Sequence, residues 1–94
     1  MMFVALLTIR LKIGYAQSLK DKRKVIKSLI SRVRNQFNVS ISEVADLESW
    51  HFATLGCALV TNDTTYAYQV LNRLGGYIES NPDIEVIMVE KELL

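Results

Sequence analysis

Two stretches of this chain are apolar on both faces of a strand, and they limit the possible folds more than anything else in it. In residues 2–13, Phe3, Ala5, Leu7, Ile9, Leu11 and Ile13 form one wholly apolar face. The other face begins with Val4 and Leu6 and turns polar only at Thr8, Arg10 and Lys12. The second stretch, WHFATLGCALVTN at 50–62, has the same character. Strands with so little polar relief belong in the middle of a sheet.

The remaining segments fit around these two. Ser18 is placed to cap a helix over residues 19–36, with Asp21 three residues on completing a capping-box-like Ser-x-x-Asp. Val25, Ile26, Leu29, Ile30 and Val33 share one helical stripe that Phe37 continues. NVSISEVADL reads as an edge strand, with Val39, Ile41, Ala45 and Leu47 on one face and Ser40, Ser42 and Asp46 on the other. Glu43 falls on the apolar face, so it is paired with a basic side chain or sits at a bulge. A second helix starts near Asp63 with Ala67, Val70, Leu71, Leu74 and Ile78 inward. Gly75-Gly76 costs that helix about 2 kcal/mol against alanine, which predicts a kink or a close approach. Asn81-Pro82-Asp83 ends it, and IEVIMVE at 84–90 is the last strand.

The order is βαββαβ. The expected fold is α+β and ferredoxin-like, with a four-stranded antiparallel sheet in order 4-1-3-2 and both helices on one face. The two doubly apolar strands are the central ones in that order. Residues 1–94 make one domain with an ample core, because half the residues are hydrophobic. Cys57, alone, rules out an internal disulfide and any Cys-x-x-Cys site. The start alternates and meets Arg10 and Lys12 too early for a membrane span, and it lacks the marks of a signal peptide. A cytoplasmic location and no membrane partner are expected. The helices would leave Val4, Leu6, Ala58 and Val60 uncovered on the bare face of the sheet, which predicts a homodimer.

Charge is divided unevenly. Residues 1–37 hold nine basic side chains and one acid; residues 38–94 hold two basic side chains and nine acids. Seven of the eleven cations lie between Lys20 and Arg34. Lys20, Lys24, Lys27, Ser31 and Arg34 form a ridge opposite the apolar stripe, and Arg23 flanks it. Lys22 points nearer the stripe, a position where the stem packs and the head snorkels. A solvated helix face is the plain alternative. Such a face normally interleaves acids one turn from its lysines, and here Asp21 stands alone. Lys20, Lys22, Arg23 and Lys24 also crowd the positive end of the helix dipole, where a bound anion would offset the repulsion.

The stretches SLKDKRKVIKSLISRVRNQFNVSISEV and ESWHFATLGCALVTND resemble the small bacterial YlxP-like family of unknown function, over nearly the whole chain. The resemblance implies a ferredoxin-like fold. It also implies a link to translation, since genes of this family lie among those for initiation and ribosome maturation. It carries no catalytic residues.

No nucleophile–base pair or paired carboxylates stand out, and the acylphosphatase loop is missing from GYAQS. His51 has no partner for a metal site, Cys57 reads as a buried hydrophobe, and Trp50 and Phe52 read as core or interface. Tyr66, Tyr68 and Tyr77 read as packing residues with wet hydroxyls. Strands one and three lack the central aromatics of an RNA-recognition motif. The leading expectation is a non-catalytic RNA- or ribosome-associated domain without cofactor, binding phosphates through Lys20, Lys22, Arg23, Lys24, Lys27 and Arg34. The alternative is a dimeric small-molecule-binding regulatory module.

Overall fold

The computed structural model describes all 94 residues. The elements are β1 (Phe3–Lys12), α1 (Leu19–Gln36), β2 (Ser40–Ala45), β3 (Phe52–Thr61), α2 (Thr64–Glu79) and β4 (Glu85–Leu93). The sheet runs β2-β3-β1-β4 and every pairing is antiparallel. This is the expected order read from the other edge, with the two doubly apolar strands at its centre.

Register sorts the side chains by face. Leu7 lies opposite Cys57 and Ile9 opposite Leu55, and all four are buried. Their neighbours Leu6 and Ala58, and Val4 and Val60, pair on the other side of the sheet. Both helices press on the buried face: Ile26, Leu29 and Val33 of α1 and Ala67, Val70, Leu71, Leu74 and Ile78 of α2 join the strand residues in one cluster of twenty. Each fully buried leucine or isoleucine contributes about 1.5–3 kcal/mol from burial, so the stripes suffice to seat the helices.

Three local expectations are corrected. The second strand is shorter than 38–47, because the pairing of β2 with β3 shifts between Glu43 and Ala45. That bulge turns Ala45 and Leu47 to solvent instead of the core. Asp46 follows it with φ of 64°, left-handed backbone that aspartate tolerates better than most residues. The last strand is longer than expected, running on through Lys91 to Leu93 opposite Ala5. Finally, α2 runs unbroken through Gly75 and Gly76, and a Cβ at either would meet nothing within 4 Å. No close approach explains that pair.

Candidate nucleic-acid interface

The basic surface is built on α1, and its start is well defined. Ser18 has extended backbone and its Oγ accepts from the Asp21 N–H at 3.0 Å. Asp21 Oδ2 in turn accepts from the Gln17 N–H at 3.0 Å. Eighteen residues from there give a helix about 27 Å long. Lys20, Arg23, Lys24, Lys27 and Arg34 are all exposed along it. Lys20, Lys24 and Lys27 take part in none of the chain's three ion pairs. Arg23 has one carboxylate near it, Glu48 at 3.9 Å, and the two side chains are 57% and 85% exposed. A pair so open to water contributes little. Arg34 donates from Nη2 to the Ile41 carbonyl at 3.1 Å, which holds its guanidinium over β2. Lys27, Ser31, Arg34, Asn35 and Ser42 line a shallow groove there between helix and strand.

Lys22 does not belong to this surface. It is fully buried, so neither phosphate contact nor a snorkelling head group describes it. Its Nζ lies 2.9 Å from Glu43 Oε2 and donates to the carbonyls of Asp46 at 2.8 Å and Phe52 at 3.1 Å, with Leu47 further off at 3.4 Å. A buried ammonium is tolerable only when its protons are all spoken for, and here they are. Glu43 is thus both paired and beside a bulge. The signal was present in the spacing: Lys22, Ile26, Leu29 and Val33 form one inward row, and the one cation on that row answers the one acid on the apolar face of β2.

A second cation is also consumed internally. Arg10 Nε lies 3.0 Å from Asp46 Oδ2, which also accepts from Thr54 Oγ1 at 2.7 Å. The hydrogen bond from Arg10, then that from Thr54, holds the Asp46 carboxyl below its usual range. The Arg10 guanidinium covers the Phe52 ring, 4.3 Å from its centroid. Asp46 therefore ties the two faces of the sheet together, its carbonyl on Lys22 and its carboxylate on Arg10.

Several of the other singled-out residues have structural explanations. His51 Nε2 lies 2.8 Å from the Ala16 carbonyl and fixes the turn before α1. Burial pushes the Cys57 thiol up to about 12, which leaves it a small hydrophobe. Tyr77 packs edge-on against Phe37, with its hydroxyl accepting from Gln36 Nε2. Tyr66 and Tyr68 do not pack as expected: they are 51% and 45% exposed and stand outside the core cluster, as does Trp50 at 52%.

Fold and site together define a small α+β domain, a βαββαβ sheet with one strongly cationic helix. Residues 4–91 match the family described as "Protein of unknown function (DUF503)", and the chain belongs to it. It is 39% identical over 77 residues to "Uncharacterized protein YlxP" of Bacillus subtilis (strain 168), covering 82% of this chain and 84% of that protein. Among solved structures, "De novo designed protein Foldit4" superposes with a TM-score of 0.53 at 17% identity, over 98% of this chain and 97% of that one. That likeness bears on the fold alone.

Proposed function

We propose that this protein is a non-catalytic RNA-binding domain, built on a ferredoxin-like sheet, that grips phosphates through the outer side of α1 and works at the ribosome. The observation that carries the reading is the set Lys20, Arg23, Lys24, Lys27 and Arg34, exposed along one helix with a single loose carboxylate contact. Cations gathered this way repel one another unless a polyanion lies across them. The helix is regular and rigidly seated, so it suits a phosphate backbone better than base edges. The link to translation that the family resemblance implies makes ribosomal RNA the first polyanion to test.

Binding of this kind releases counterions, so affinity falls with salt by a logarithmic slope of roughly 0.7 per single-strand phosphate neutralised. The test is titration of a ribosomal RNA fragment with the parent and with the double variant Lys24→Glu/Lys27→Glu across salt concentrations. The variant is expected to fold, to bind all sequences more weakly and to show a flatter slope. Parental affinity and slope in the folded variant would reduce the ridge to a solvated helix face.

A further inference from the structure

The connection between β2 and β3 carries the one tryptophan of the chain, and its backbone is pinned from several sides. Lys22 Nζ holds the Asp46 and Leu47 carbonyls before it and the Phe52 carbonyl after it. The Ser49 N–H donates to the Asp46 carbonyl at 3.0 Å, and Ser49 Oγ accepts from the Phe52 N–H at 3.1 Å. On the other flank the His51 carbonyl accepts from the Ile13 N–H at 2.7 Å. Trp50 thus stands half-exposed on a loop that is fixed residue by residue. Cations bracket it. Arg23 approaches Glu48, two residues before it, and Lys12 lies opposite Phe52, two residues after it.

Phosphate binding alone leaves a large aromatic surface held open beside the start of a cationic helix without a use, and a stacked base would supply one. We propose that Trp50 is a stacking platform for an unpaired base, and that the ligand of this domain is single-stranded RNA whose backbone runs from the loop onto Arg23, Lys24 and Lys27. This rests on the phosphate-binding reading above and narrows it. Stacking on an aromatic side chain is tolerant of sequence, because every base has a π-face. A duplex keeps its bases stacked on one another and cannot use the site. Pinning the loop in advance means that little ordering cost is left for binding.

The lone tryptophan makes its own reporter. Titration with a short oligoadenylate is expected to quench Trp50 fluorescence, whereas inorganic polyphosphate is expected to bind without quenching and an RNA duplex to bind without it as well. Trp50→Ala, with its fold checked by circular dichroism, is expected to weaken oligoadenylate binding by roughly 5- to 150-fold and to leave polyphosphate binding unchanged. Trp50→Phe, which keeps a ring, is expected to retain most of the affinity; where the alanine variant unfolds, the quenching comparison between oligoadenylate and polyphosphate in the parent protein decides. Equal quenching by polyphosphate, or parental oligoadenylate affinity in a folded Trp50→Ala, would overturn the platform. Those outcomes leave phosphate binding by α1 intact. Failure of every polyanion to bind would remove both readings.

Discussion

Lys22 shows how far a charge can be from its apparent place. Read as chemistry it joins a cluster of surface cations; read as position it lies on the inward row with Ile26, Leu29 and Val33. Position wins, because Glu43 and three carbonyls replace the water it loses. Glu43 was legible from the sequence as needing a bulge or a partner. The identity of that partner was not, since it lies 21 residues away and only the seating of α1 on β2 joins them. Lys22→Met is expected to destabilise the protein by about 3–5 kcal/mol in urea denaturation, nearer the lower value because Glu43 retains some water. Adding Glu43→Leu to that variant is expected to recover part of the loss, because the stranded carboxylate goes with it. A change of under about 0.5 kcal/mol for Lys22→Met would place the ion pair among ordinary surface contacts.

The elements divide into those whose pattern is set locally and those set by neighbours. The bounds of α1 were legible because a capping serine, an acid in the first turn and a clean stripe coincide. The five inward residues of α2 were legible for the same reason. The edge strands were read less well. β4 carries Glu90, Lys91 and Glu92 at its end, so no alternation of hydrophobic residues marks the last residues as paired. β2 changes register where Glu43 turns toward Lys22, which no period-two pattern expresses. Trp50 was read as core or interface because tryptophans are usually covered, and its exposure removes the core half of that reading. Gly76 offers a test of local propensity in isolation: it is exposed, helical and touches nothing beyond its helix. Gly76→Ala is expected to stabilise α2 by about 1 kcal/mol, and to raise the thermal midpoint by about 4–8 °C. A lowered midpoint would mean that the missing side chain leaves room for something the isolated chain does not contain.

At the scale of the molecule, both helices occupy one face and the other face is bare. Toward one end of its central strands lie two directly opposed apolar pairs, Val4 with Val60 and Leu6 with Ala58; Val60 is 64% exposed and the other three are half-buried. Four strands with ten-residue central members project on the order of 600 Å², close to the 800 Å² or so that each partner of a stable complex contributes. Light scattering is therefore expected to give twice the mass of the 10.7 kDa chain at micromolar concentrations, and Leu6→Glu to halve it. A parent that stays monomeric would mean that the bare face is left to water. Pairing through that face would leave each α1 ridge outermost, so a dimer would offer two phosphate-binding helices to one polyanion.

The burial of Lys22 also separates the six lysines of the chain by reactivity. An acylating reagent needs a free, unprotonated amine it can reach. Lys12, Lys20, Lys24, Lys27 and Lys91 stand in solvent, but Lys22 presents its nitrogen only when α1 lifts from the turn between β2 and β3. Its modification rate in the native protein is thus a clock for that lifting, read at a single atom, while the other five amines label at the pace of the reagent.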